Sequence, residues 1–154
     1  MRVGLISDTH GLLRPEAVEA LAGVEHILHA GDIGNPTVLT NLEKIAPVTA
    51  VRGNNDTGAW AARIAAFEGI QLGGRHIYML HDLAELDLDP SAAGFSAVIT
   101  GHSHKPKIES RDGVLFINPG SAGPRRFKLP ITVGFLDIEG DTLNARIREL
   151  VLKS

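Results

Sequence analysis

Val3-Gly4-Leu5-Ile6-Ser7-Asp8-Thr9-His10 is a short apolar run that ends in a carboxylate and an imidazole, and the chain repeats this layout several times. Residues 3–7 have the length and apolar continuity of a strand buried on both faces. Residues 15–21 read as a helix opened by a proline in its first turn, and 25–30 as a second strand. Asn35 can cap a helix from 36 to about 45, and 47–51 give a third strand. A β-α-β-α-β order with right-handed crossovers predicts a parallel sheet, with Asp8, Asp32 and Asn54 following its strands directly.

The second half reads differently. Residues 63–72 and 76–80 flank Gly73-Gly74 as a hairpin, and 97–100 form a short buried strand that stops at Gly101. Residues 107–110 and 114–118 flank Asp112-Gly113, and 131–138 and 142–151 flank Glu139-Gly140-Asp141. The pattern predicts an α/β fold with two packed sheets and outer helices, in one domain over residues 1–154. Residues 82–94, with Asp87, Asp89 and Pro90, are the expected loop or lid.

Composition narrows the functional classes. A chain of 154 residues, 44% hydrophobic, can bury roughly two-thirds of the surface its unfolded form exposes. Fifteen basic against 18 acidic residues leave a net charge of -3, so nothing draws the chain diffusely to nucleic acid or an anionic membrane. Any affinity for phosphate must be local. The absence of cysteine excludes disulfides, thiolate metal sites and cysteine nucleophiles. Residues 1–7 hold one arginine and a short apolar run, too little for a signal-peptide core or a membrane span, so a cytoplasmic location is expected.

Chemistry-bearing residues recur at the expected strand ends: Asp8-Thr9-His10, Gly31-Asp32, Gly53-Asn54-Asn55-Asp56, His81-Asp82 and Gly101-His102-Ser103-His104. Side chains at i and i+2 beyond a strand leave on one side, so Asp8 and His10 can meet one ion. Gly31 lets the backbone pass close to a ligand, and the carboxylate of Asp32 can bridge two cations. Asn54 contributes an amide oxygen without charge. Two divalent ions carry four positive charges, of which Asp8, Asp32 and a bridging hydroxide would cancel three, leaving attraction for a phosphate. Mixed imidazole and oxygen donors suit manganese, iron, cobalt, nickel or zinc rather than magnesium or calcium.

Other residues carry weaker signals. Asp82 can orient an imidazole or cap its loop, His29 reads as a hydrogen-bonded wall residue, and His26 and His76 as surface or turn positions. Arg125 and Arg126 could clamp a phosphate, with solvation or a subunit contact as the alternatives. Residues 118–121 read as a turn under the site. Trp60 and Phe67 are expected in the core, with a substrate wall or dimer contact as alternatives.

These motifs together resemble the calcineurin-like metallophosphoesterase superfamily, in particular its small prokaryotic single-domain phosphodiesterases. The likeness spans Asp8 to His104 and continues through Asn118-Pro119-Gly120-Ser121 and Pro124-Arg125. It implies a four-layer α-β-β-α sandwich with two mixed sheets and two divalent metal ions, manganese first, with iron, nickel, cobalt or zinc as alternatives. One ion would take Asp8, His10, Asp32 and His104; the other Asp32, Asn54, His81 and His102. The implied reaction is in-line attack on a small phosphodiester by a hydroxide bridging the metals, in a homodimer or homotetramer acting on neither membrane nor extended nucleic acid. Many members carry a histidine after the asparagine as general acid; here Asn55 stands there, and an amide cannot donate that proton. Asp56, His10 or metal-bound water are the candidate substitutes. The rival implication is a non-catalytic scaffold of the same fold, similar to the eukaryotic retromer subunit.

Overall fold

The computed structural model describes residues 1–153. The first half gives β1 (Arg2–Ile6), α1 (Pro15–Ala20), β2 (His26–His29), α2 (Pro36–Glu43), β3 (Val48–Ala50) and α3 (Ala59–Ala62). The second gives β4 (Phe67–Leu72), β5 (Arg75–Leu80), β6 (Ala97–Ile99), β7 (Lys107–Arg111), β8 (Val114–Asn118), β9 (Thr132–Glu139) and β10 (Thr142–Glu149). Local chemistry sets the helix starts as expected. Pro15 occupies the first turn of α1, and the Asn35 side chain accepts from the Val38 amide at 3.3 Å to cap α2.

The strands form two five-stranded mixed sheets, ordered β10-β9-β1-β2-β3 and β4-β5-β6-β8-β7. In the first, β1, β2 and β3 run parallel, with Val3 opposite His26 and Ile27 opposite Val48, and β9 pairs antiparallel to β1. In the second, β5, β6 and β8 run parallel and the hairpin strands β4 and β7 close the two edges antiparallel. These are the α/β sandwich and mixed sheets that the sequence implies.

Strand periodicity distributes the apolar side chains. Val3, Leu5 and Leu28 point into a core shared with Ile77, Met79, Ile99 and Ile117 of the other sheet, each fully or almost fully buried. Ile6, Ile27, Val133 and Phe135 face the opposite way, onto Ala17, Leu21, Val38 and Leu42 of the helical layer. Each fully buried Leu, Ile or Met of this kind is worth about 1.5–3 kcal/mol. The outer face of the second sheet, with Tyr78, Leu80 and Val98, is covered by Leu86, Leu88 and Phe95. That fourth layer is thin: a single 3-10 turn at Leu83–Glu85 and the loop that follows.

The strand expected to start at residue 63 begins at Phe67, because 59–62 form the one-turn helix α3. Four residues are too few to show a 3.6-residue period. Trp60 is half-buried against the helical-side core, as expected for an aromatic there, whereas Phe67 is 62% exposed on an edge strand and stacks on Tyr78. The carboxyl ends of β1, β2, β3, β5 and β6 all lead into the loops that carry Asp8, Asp32, Asn54, His81 and His102.

Candidate metal centre

Two triads of potential ligands assemble where these loops meet: Asp8 with His10 and His104, and Asp8 with Asp32 and His81, the donor atoms of each lying within 4.8 Å of one another. Oδ1 of Asp8 is 3.4 Å from Nε2 of His104 and 3.9 Å from Nε2 of both His10 and His81. Oδ2 of Asp32 is 3.2 Å from Nε2 of His81 and 3.7 Å from Nε2 of His10, so it lies between the two imidazoles.

Neighbouring groups orient each of these donors. Oδ2 of Asp8 accepts from the Ser7 hydroxyl at 2.7 Å and the His102 amide at 3.1 Å, leaving Oδ1 to the cluster. Nδ1 of His81 donates to the Ala30 carbonyl at 2.7 Å. A carbonyl only accepts, so Nδ1 carries a proton and Nε2 is the ring atom turned toward Asp8 and Asp32. The amide of Asn55 donates to Oδ1 of Asp32 at 3.0 Å and its side chain to Oδ2 at 3.1 Å.

Four buried atoms of the cluster lack a hydrogen-bond partner among the described residues: Oδ1 of Asp8, Nε2 of His10, Nε2 of His81 and Nδ1 of His104. Buried polar atoms without partners are rare and costly. Here they are the acceptor-type atoms of carboxylate and imidazole, the donor set that divalent transition metals take, so these residues fit a metal. Burial pushes the Asp8 carboxyl up, but the His104 imidazole, the Ser7 hydroxyl and the His81 charge outweigh it and hold it below the usual range. Burial likewise opposes, and the His81 and Asn55 contacts overcome it to depress, the Asp32 carboxyl. Desolvation lowers His81, yet Asp32 and Asp8 raise it on balance. The pocket favours carboxylates with positive charge between them.

The backbone supplies a second, independent mark. Asp8, His10, Asp32, His102 and His104 all have positive φ, between 46° and 72°. The left-handed region costs a non-glycine residue of order 1–3 kcal/mol, and such residues collect at functional sites. The alternation expected for Asp8 and His10 therefore does not operate, since the chain has left its strand and turned. The same turn separates the paired histidines: His104 is buried against Asp8, while His102 is 46% exposed, with its ring 5.3 Å from that of His81. Asn54 is exposed too, and shares with Arg52, His81, Asp82 and His102 a cleft of about 400 Å³.

Glycines let these loops approach. A Cβ on Gly53 would lie 2.1 Å from Oδ1 of Asp32, and one on Gly101 would lie 2.1 Å from Oγ of Ser7.

Several secondary expectations resolve here. Asp82 caps the 3-10 turn through the Ala84 amide at 3.0 Å, the second of its suggested roles, and stands 3.8 Å from Nε2 of His102, beyond hydrogen-bond distance. His29 is indeed a wall residue: its Nε2 lies 3.0 Å from the Thr9 hydroxyl, and its Nδ1 accepts from the Gly31 amide at 3.1 Å. Asn118 donates to the Gly101 carbonyl at 2.9 Å and to the Ser103 hydroxyl at 3.1 Å, steadying the histidine loop from below. Nη1 of Arg125 donates to the Leu129 carbonyl at 3.1 Å, closing its own loop.

Sequence reasoning missed two supporting residues. The pattern marks Ser7 only as the end of a strand, and Asp56 only as part of the Gly53–Asp56 motif and a stand-in proton donor. The Asp56 carboxylate, 6% exposed, accepts from the amides of Ile33 at 3.1 Å, Gly34 at 3.0 Å and Gly53 at 2.8 Å, tying the Asp32 loop to the Asn54 loop. The position of Asp56 three residues after Gly53, with its amide bonded to the Gly53 carbonyl, is the one local hint of this.

Residues 1–141 match the model of the calcineurin-like phosphoesterase superfamily domain. A protein of Methanothermobacter thermautotrophicus named "Probable metallophosphoesterase" is 38% identical, over 96% of this chain and 91% of its own length. Among solved structures, an archaeal phosphodiesterase superposes with a TM-score of 0.80 at 27% identity, covering 96% of this chain and all of the other. Vps29 of Chaetomium thermophilum superposes at 0.78 with 16% identity, over 97% of both chains, a likeness of fold alone.

Proposed function

This chain belongs to the calcineurin-like phosphoesterase superfamily, and from that membership and the carboxylate–imidazole cluster we propose that it hydrolyses small phosphodiesters with two divalent cations. One cation would be held by Asp8, His10, Asp32 and His104, the other by Asp32, Asn54, His81 and His102. Cations bound there supply Lewis acidity toward phosphoryl oxygens and lower the pKa of a water shared between them.

The observation that carries this reading is the set of four buried, unpartnered donor atoms on Asp8, His10, His81 and His104. The rest of the chain serves to hold those atoms. Ser7 and the His102 amide fix Asp8, the Ala30 carbonyl fixes the tautomer of His81, and Asn55 steadies Asp32 from the side facing the cleft. Asn55 thus has a structural task in place of proton donation. Asp56 is engaged by three backbone amides, which argues against it as the substitute donor. With no general acid beside the asparagine, the reading favours diesters whose leaving group needs little protonation, such as aryl esters. Asn54 and His102, both exposed at the cleft, complete the second ligand set where substrate enters.

The test begins with protein stripped by a chelator and restored with manganese. Rates on bis-p-nitrophenyl phosphate and p-nitrophenyl phosphate are then measured side by side. Manganese-dependent turnover that favours the diester is expected. No turnover of either ester across manganese, iron, cobalt, nickel and zinc would refute the proposal.

A further inference from the structure

Beside the metal cluster, His102, Ser103 and Lys105 form one wall of an open concavity of about 1020 Å³ whose other wall is Arg126, Phe127 and Lys128. Its charge is unusual for this protein. The chain is net negative, yet no carboxylate lines this concavity, and Lys105, Arg126 and Lys128 enter no ion pair among the described residues. The adjoining cleft differs, because there Lys107 and Arg111 both pair with Glu109, at 3.4 and 2.9 Å. Three cations thus meet without a carboxylate on the side that His102 shares.

Phe127 adds a second, different property. Its side chain is exposed (88% for the residue), between two cations, where an apolar ring gains nothing from burial. Seven non-glycine residues have positive φ among those described; five are candidate ligand residues on the loops that follow the strands and one, Asp112, sits in a hairpin turn. Phe127, at 54°, is the seventh. The Arg125 guanidinium bonded to the Leu129 carbonyl closes the loop around it. An aromatic face held out beside cations offers stacking to a planar ring and charge-assisted hydrogen bonds to phosphate oxygens.

We propose that this concavity is a substrate subsite for a phosphorylated nucleoside, in which Lys105, Arg126 and Lys128 bind a phosphate other than the one cleaved and Phe127 stacks on the base. The inference rests on the phosphodiesterase reading and narrows its substrate to nucleotide diesters with a further phosphate. Short nucleotides satisfy it; the small size and net charge of the chain supply no continuous track for a long nucleic acid.

Two chromogenic diesters test it: thymidine 5′-(p-nitrophenyl phosphate) and the same compound bearing a 3′-phosphate. The bond cleaved and the leaving group are identical, so only the second phosphate differs. For the native protein with manganese, kcat/KM should be roughly tenfold or more higher with the 3′-phosphate, mainly through KM and less so as salt rises. In the triple variant Lys105→Ala, Arg126→Ala, Lys128→Ala that ratio should fall toward one, with turnover of bis-p-nitrophenyl phosphate unchanged. Phe127→Ala should lower both nucleoside esters alike relative to bis-p-nitrophenyl phosphate. A ratio near one in the native protein, or one that survives the triple variant, overturns the proposal. If no ester is turned over, the phosphodiesterase reading fails separately. Calorimetry of thymidine 3′,5′-bisphosphate against thymidine 5′-phosphate then decides the subsite: a preference lost in the triple variant supports it, and no preference refutes it.

Discussion

Replacing Asp56 by asparagine keeps the shape of the side chain and removes its charge, and so isolates what that carboxylate does. Oδ2 accepts from Ile33 and Gly53 at 3.1 and 2.8 Å, and Oδ1 from Gly34 at 3.0 Å. An asparagine best keeps its oxygen at the doubly used position, so its NH₂ group must face the Gly34 amide. One bond is then lost outright and two fall from charged to neutral strength. At about 1.5–3 kcal/mol for a charged acceptor and about 1 for a neutral one, the loss is about 2.5–7 kcal/mol. In urea, with a slope of about 2 kcal/mol per molar, the unfolding midpoint should drop by about 1.3–3.5 M. Because the same bonds hold the Asp32 loop against the Asn54 loop, manganese affinity should fall about 10–100-fold, as for groups that orient metal ligands. Equilibrium unfolding of the metal-free protein and metal titration by calorimetry read the two effects independently. A variant with native midpoint and native metal affinity but lost turnover would refute this reasoning and return Asp56 to the reaction itself.

Three further outcomes follow from the same geometry. The Thr9 hydroxyl gives its one proton to the Ile33 carbonyl at 2.8 Å, so His29 must donate to Thr9 through Nε2 while accepting from Gly31 through Nδ1, the neutral form; burial accordingly lowers its pKa from 6.5 to about 4. Between those values the unfolded chain binds the extra proton, so metal-free protein should lose about 3 kcal/mol as pH falls through that window and none of it above 6.5; urea unfolding of His29→Gln should show that slope removed, and an unchanged slope would refute the assignment. Gly53→Ala drives a methyl to 2.1 Å from Oδ1 and 2.4 Å from the backbone nitrogen of Asp32 without any positive φ to blame, and should cost about 1–3 kcal/mol together with bound metal, whereas native metal content by elemental analysis would show that the loops can part freely. Asn54→Ala and His102→Ala remove exposed side chains, so stability should stay within about 0.5 kcal/mol while turnover of bis-p-nitrophenyl phosphate collapses; undiminished turnover and metal content in the Asn54 variant would remove it from the ligand set.

Much of the architecture was legible because each strand of the first sheet is an apolar run that stops at a polar residue, and β1, β2 and β3 were located to within two residues. The hairpins at Gly73-Gly74 and Asp112-Gly113 were legible for a different reason, the demand of tight turns for positive φ, which all four of these residues adopt. What escaped reading depends on contacts far apart in the chain. The Asp56 bonds to Ile33 and Gly34 span 23 and 22 residues, and the left-handed turns at Asp8 and His102 are joined by a bond from the His102 amide to Asp8 that spans 94. Thus the residue types of the candidate site were visible, whereas the separation of buried His104 from exposed His102 was not.

The fold does not separate catalysis from a scaffold role, since proteins as unlike in sequence as a phosphodiesterase and Vps29 superpose on it almost equally well, at 0.80 and 0.78. The backbone is more informative. Five strand-end residues in the left-handed region, at about 1–3 kcal/mol each, amount to strain comparable with the whole stability of a domain, about 5–15 kcal/mol. Four unpartnered buried atoms in the same place add to it. A docking surface needs neither, because contacts to a partner are made by exposed side chains on relaxed backbone. Asp8, His10 and His104 bear both costs, and a cation is what their converging donor atoms can bind. The energetic pattern therefore favours a working metal site over a surface that keeps only its shape.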